Sequence, residues 1–173
     1  MRALIGVATI AAAAAGPLAG QERPPAPTDA EIAHVAVTAN RIDMDLAQLA
    51  RTKSTNERVR SFAETMITDH GSVIEQATAL VTKLGVTPQD NGISRSLQSA
   101  AREARAELEP LAGRAFDTAY MDREIAYHQG VIDAVSSVLI PGARNAELKE
   151  LLEKVLPVLQ GHLRMARDVR SVL

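Results

Sequence analysis

The sequence predicts an all-α fold: an antiparallel four-helix bundle with a short extra helix before the third long helix. Three observations carry this. Apolar residues recur at helical spacing over four long segments. Helix start and stop signals bracket those segments. No segment shows the strict alternation of a half-buried strand.

Thr28-Asp29-Ala30-Glu31 has the form of a capping box, in which residues 28 and 31 satisfy each other's backbone donors. It starts a helix from about Asp29 to Lys53, with Ile32, Ala36, Ala39, Leu46 and Ala50 on one stripe. Asp43 falls on the same stripe. Ser54-Thr55-Asn56-Glu57 reads as a second capping box, so a second helix begins at once and turns back on the first. Its stripe includes Val59, Ala63, Met66, His70, Val73 and Ala77, and Gly85 after Leu84 is its stop.

Val86 to Gly92 reads as a loop, with Pro88 and Asn91-Gly92 as turn signals. Ser94 is the candidate cap of the short helix, which reaches Leu108 before Pro110 and Gly113 interrupt it. The third long helix is expected from about Arg114 to Leu139 and to end at Pro141-Gly142. Tyr120, Met121, Glu124, Ile125, His128 and Val131 share one of its faces. The last helix begins near Asn145, with Leu148, Leu152, Val155, Leu159, His162 and Ala166 inward and Pro157 bending it.

Residues 1–20 read as an export signal. Met1-Arg2 gives a positive start, and Ala3 to Ala15 is apolar but shorter than a bilayer-spanning helix requires. Residues 21–28 form a proline-rich linker and residues 29–173 the bundle domain. The mature chain is therefore expected in the periplasm, with no stable membrane insertion after signal cleavage.

Composition removes several functions. A net charge of −2 offers no electrostatic footprint for nucleic acid. Aromatic residues make up 2%, with no Trp, so stacking platforms are lacking. Cysteine is absent, which excludes disulfides, thiolate metal sites, thiol catalysis and c-type haem attachment. No haem and no nucleotide cofactor is expected. Nothing in the pattern specifies an oligomeric state.

The chain has four histidines, one on each long helical segment: His34, His70, His128 and His162. The last three fall on apolar faces, where an imidazole costs free energy unless paired. Heights follow from ~1.5 Å per residue, measured from the end taken to hold the Lys53–Ser54 and Pro141–Gly142 turns. Asp43, His70 and His128 then lie roughly 18–21 Å along the bundle, with His162 at about 28 Å and His34 at about 31 Å. Glu124 shares the face and level of His128. Two chemistries fit such a cluster: a divalent metal held between facing helices, or a closed hydrogen-bonded network.

The candidate metal ligands are His70, His128 and His162, with Glu124, Asp43 or His34 completing the set. Asp69, Tyr120 and Asp117 are candidates to support the ligands, Asp69 by orienting an imidazole. Zinc, iron and copper all suit these donors. Met44, Met66, Met121 and Met165, one per long helix, add a copper reading beside the ordinary one of core filler. Gly71, Gly130 and Gly161 lie beside three of the histidines and would let helix backbones approach closely.

The run Asp29-Ala-Glu-Ile-Ala-His34 with Thr38-Ala-Asn-Arg-Ile-Asp43, then Phe62 to His70, Ala115-Phe-Asp117, Ala119-Tyr120, Ala126-Tyr-His128 and Leu156-Pro157 through Leu163, resembles the exported bacterial domain-of-unknown-function family 4142. The resemblance implies a ferritin-like four-helix architecture and export. The leading expectation is a non-catalytic metal-binding or metal-homeostasis protein. Its competitors are an envelope stress or interaction protein with a purely structural buried network, and a ferritin-like oxidase.

Overall fold

The computed structural model describes residues 26–173, and all regular structure among them is helical. The expected signal segment lies outside the described residues. Helix α1 spans Asp29–Lys53. Thr28 Oγ1 accepts from the Glu31 amide at 3.3 Å, and Glu31 Oε2 accepts from the Thr28 amide at 2.8 Å, which closes the capping box. Asp29 and Glu31 at its start and Arg51 and Lys53 at its end complement the helix dipole.

Helix α2 spans Glu57–Leu84, and its cap departs from expectation. Asn56, not Ser54, accepts from the Arg58 and Val59 amides. Ser54 Oγ instead accepts from the Asn56 amide at 3.0 Å and secures the joint between the helices. Gly85 closes α2 in the left-handed region, with φ 63° and ψ 26°. A side chain there is strained by roughly 1–2 kcal/mol. Gly85→Ala is expected to lower the unfolding free energy by about that amount, read from urea midpoints; an unchanged midpoint would contradict the cap's role.

Helix α3 spans Gly92–Leu108 and is capped by Asn91, with Ser94 as its reciprocal partner and not the cap itself. Helix α4 spans Gly113–Ala134 and continues through a wide π turn at Val135–Leu139 into a last turn at Ile140–Gly142. The helix ends at Pro141-Gly142 as expected, three residues past Leu139, and it does so through a widened turn in which the Ile140 amide bonds to the Val135 carbonyl. Widening the turn accommodates a proline that has no amide to donate and that crowds the carbonyl four residues back. Helix α5 spans Ala146–Arg170, capped by Asn145, and runs unbroken through the exposed Pro157.

The chain path corrects one expectation. The Pro141–Gly142 turn does not lie beside the Lys53–Ser54 turn. Asp29 accepts from the Arg144 and Asn145 amides at 2.8 and 3.1 Å, so that turn sits at the start of α1. The physical reason is α3. Its seventeen residues span about 25 Å, enough to carry the chain the length of the bundle. It starts near α1's first turn, where the Gln89 amide bonds to the Ala30 carbonyl at 3.0 Å. It ends near α1's last turn, where Lys53 Nζ donates to the Glu109 carbonyl. Consequently α2 and α4 run parallel to each other and antiparallel to α1 and α5. A single long crossover is also how ferritin-like bundles are connected.

The core is split. One apolar cluster, with Phe62, Met66, Phe116, Tyr120 and Met121, fills the end near Lys53. Another, with Ile32, Val35, Leu139, Leu148 and Leu152, fills the end near Asp29. Between them lies a layer of buried polar side chains.

Candidate metal centre

Each long helix contributes to this layer: Asp43 from α1, His70 from α2, Glu124 and His128 from α4, and His162 from α5. None is more than 4% exposed. They are buried because each occupies a position of its helix's apolar stripe, so packing of those stripes carries them inward. The rings of His70, His128 and His162 have centroids 5.1 to 5.7 Å apart.

The hydrogen bonds fix which nitrogen of each ring faces the centre. Asn40 Nδ2 donates to the Ala36 carbonyl at 2.7 Å, which leaves its Oδ1 to accept from His70 Nδ1 at 2.6 Å. The Glu124 carbonyl accepts from His128 Nδ1 at 3.0 Å. Asp69 Oδ2 accepts from His162 Nε2 at 3.0 Å. Each ring thus has one nitrogen committed as a donor. The remaining nitrogens, His70 Nε2, His128 Nε2 and His162 Nδ1, are buried and have no hydrogen-bond partner. So are both carboxylate oxygens of Asp43, and Glu124 Oε2.

Asp43 Oδ2 lies 3.4 Å from His70 Nε2 and 3.6 Å from His128 Nε2. A good N–H···O bond is shorter, at about 2.7–3.2 Å. Donors sharing a tetrahedral ion at metal–nitrogen distances of 2.0–2.1 Å would stand roughly 3.4 Å apart. Two overlapping groups could hold a metal: His70, His128 and His162, and Asp43, Glu124 and His128, with ligand atoms in each group within 4.8 Å of one another. His128 belongs to both.

Burial sets the protonation states. It pushes His70 down to about 3, with help from the neighbouring His128 and His162. It pushes His128 down to about 4, so both rings are neutral and basic at the ring nitrogen that faces the centre. Burial raises Asp43 to about 8. It also raises Glu124 well above the ordinary carboxylate range, reinforced by Asp43. Tyr120 and Tyr127 rise for the same reason, first by burial and then by the two carboxylates.

A pH dependence follows for metal-free protein. Asp43 is raised from 3.8, so its contribution is complete below 3.8 and lost as pH rises toward 8. His70 and His128 are lowered from 6.5, so their contribution is present above 6.5 and lost as pH falls toward 3 to 4. Between pH 6.5 and 8 the histidines no longer oppose the carboxyls. Stability is expected to fall across that window by about 1.4 kcal/mol per pH unit for each proton held. Urea midpoints that stay level or rise there would contradict this.

The remaining candidates sit as follows. His34 is not brought to the centre: its ring is 28% exposed and its nearest acid is Asp90, at 3.9 Å. Nine residues of helix separate it from Asp43, about 13.5 Å of axis. Tyr120 is fully buried one turn from Glu124, held between Phe62 and a stacked Phe116. Asp117 is buried, with Oδ1 unpartnered, a further turn away and in neither ligand group. Asp69 meets His162, not the His70 beside it in sequence.

Sequence reasoning missed Asn40, which orients His70, and Tyr127, whose hydroxyl donates to the Ala39 carbonyl at 2.8 Å and ties α4 to α1. Asn40 lies three residues before Asp43 on one helix face, a signal that was available. The glycines do not mark close helix contacts. A Cβ at Gly71 would meet Met44 at 3.8 Å, and one at Gly130 would meet nothing within 4 Å. Met66 and Met121 pack in the apolar core, and Met165 is 37% exposed.

Fold and site together define a class: an all-α bundle whose four long helices converge on a buried histidine–carboxylate centre able to hold an ion. The chain belongs to the family described as Domain of unknown function (DUF4142), whose pattern matches residues 13–169. No curated protein matches it. Two solved structures share the fold. A DUF305 fragment from Deinococcus radiodurans is 19% identical, covers 87% of this chain and all of its own, and superposes with a TM-score of 0.75. A DUF305 protein from Streptomyces coelicolor is 12% identical, covers 82% of this chain and 90% of its own, and superposes with a TM-score of 0.69. Among the described residues, no helix is long and apolar enough to cross a membrane.

Proposed function

We propose that this chain is an exported, non-catalytic metal-binding protein that holds one divalent ion in the middle of its bundle. Residues 1–20 direct export to the periplasm, and residues 21–28 link that signal to the bundle. His70, His128 and His162 are the nitrogen ligands. Asp43 is the oxygen donor nearest the free ring nitrogens, and Glu124 Oε2 lies 3.5 Å from His128 Nδ1. Asn40, the Glu124 carbonyl and Asp69 hold the rings in the tautomers that ligation needs.

One observation carries this reading. Three buried imidazoles each have one nitrogen tied down and the other unpartnered, in a layer whose carboxylates are unpartnered too. A purely structural network would close its own hydrogen bonds, because an unsatisfied buried polar atom costs ~1–3 kcal/mol. Here the imidazole–carboxylate distances of 3.4 and 3.6 Å leave them open. The donor set suits zinc, iron or copper. An ion held there would neutralise the carboxylates and join both helical hairpins.

Calorimetric titration of metal-free protein with each of these ions tests the reading. One ion per chain, bound much more tightly than millimolar, is expected. Millimolar or weaker binding of all three would overturn it.

A further inference from the structure

On the Asp29 side of the polar layer an apolar cavity opens to solvent beside α4. The cavity, of about 300 Å³, is bounded by α1 from Ala33 to Asp43, α2 from His70 to Val81, α4 from Ala126 through its π turn to Leu139, and α5 from Leu148 to Leu159. Ten or so residues on each helix make it roughly 15 Å long. Two rows of small side chains leave the space: Ala33, Ala36 and Ala39 on α1, and Ala126, Gly130 and Ala134 on α4. Val73, Val81, Val131, Leu152 and Leu159 complete apolar walls.

The polar lining lies toward one end. Asn40, Asp43, His70 and His128 line that end, and Asp43, His70 and His128 present the unpartnered atoms described above. Tyr127 also lines the cavity, but its hydroxyl is committed to the Ala39 carbonyl. Walls this apolar offer water few partners. Ala126 and Gly130 on the rim are exposed, so the cavity communicates with solvent and a ligand can enter it. The cavity's shape and polarity therefore specify an occupant: long, narrow, apolar and polar at one tip.

We infer that the cavity takes one single-chain fatty acid, with its tail between α1 and α4 and its carboxylate on the ion held by His70, His128 and His162. This rests on the metal-binding reading. Asp43, His70 and His128 line the cavity's polar end, and a four-coordinate ion can take a fifth donor from that side.

The test uses the zinc-loaded chain and dodecanoate. Calorimetry is expected to give one dodecanoate per chain. Ala134→Leu and, independently, Gly130→Leu fill the cavity and are expected to weaken dodecanoate at least tenfold with zinc affinity unchanged. In cobalt-loaded protein, dodecanoate is expected to shift the visible absorption bands. Zinc binding without dodecanoate binding overturns the inference and leaves the metal reading intact. Dodecanoate binding that is equal with and without zinc, or that leaves the cobalt bands unmoved, overturns the placement of the carboxylate. Failure to bind zinc at all is read in the separate metal titration and removes both.

Discussion

Protein carrying His70→Ala and His128→Ala together is expected to take up no zinc, iron or copper at concentrations that saturate the natural chain. Removing a supporting partner of a metal ligand alone costs about 10–100-fold in affinity. Removing two ligands, one of them common to both ligand groups, should cost more than ~100-fold. His34→Ala is the control, because its ring lies near the start of α1, outside the centre, and its loss should leave affinity unchanged. Circular dichroism must show the double variant still helical, so that lost binding is not lost folding. Undiminished affinity in the folded double variant would remove the centre described here.

The second large effect is a gain in stability. Asp43 is wholly buried, and neither of its oxygens has a hydrogen-bond partner. A carboxyl whose pKa burial raises far above its ordinary value costs stability at higher pH that a neutral isostere does not, and removing a whole buried ion pair can stabilise by ~1–4 kcal/mol. Asp43→Asn is therefore expected to raise the unfolding free energy of metal-free protein by about that amount at pH 8, where the natural side chain is losing its proton. The dependence on pH between 6.5 and 8 should flatten in the same variant. Metal affinity should fall. If Asp43 instead closes a structural network, the variant will be less stable than the natural chain at every pH. Denaturant midpoints with and without chelator separate the two outcomes.

Local signals in the sequence placed the helices well. Thr28 and Glu31 marked the start of α1, and Gly85 the end of α2, because both signals rest on backbone geometry within a few residues. Caps were harder where several candidates stood together. Ser54 lost to Asn56, and Ser94 to Asn91, since only the folded joint decides which side chain reaches the free amides. The direction of α4 could not be read locally. It depends on α3 spanning the whole bundle, and a short polar helix reads equally well as a minor insertion. The level of His128 survived this inversion because His128 sits near the middle of its helix, about equally far from either end. His162 sits near the end of its helix and moved into the layer when α5 proved to run the other way, whereas His34 stayed about as far from Asp43 as the axial estimate had it. The three clustered histidines were legible because they sat on apolar stripes; the tautomers were not, because they depend on Asn40, on a backbone carbonyl and on a carboxylate from another helix.

The centre draws on positions 43, 70, 124, 128 and 162, so no contiguous fragment of moderate length contains a complete ligand set. Closing such long loops carries an entropic cost that must be met before any coordination bond can form. A nascent or unfolded chain would thus present scattered imidazoles of ordinary, weak affinity, and high-affinity capture would begin only when the second hairpin docks on the first. Loading kinetics would report the last step of assembly, and a captured ion would act as a latch that slows the hairpins' separation.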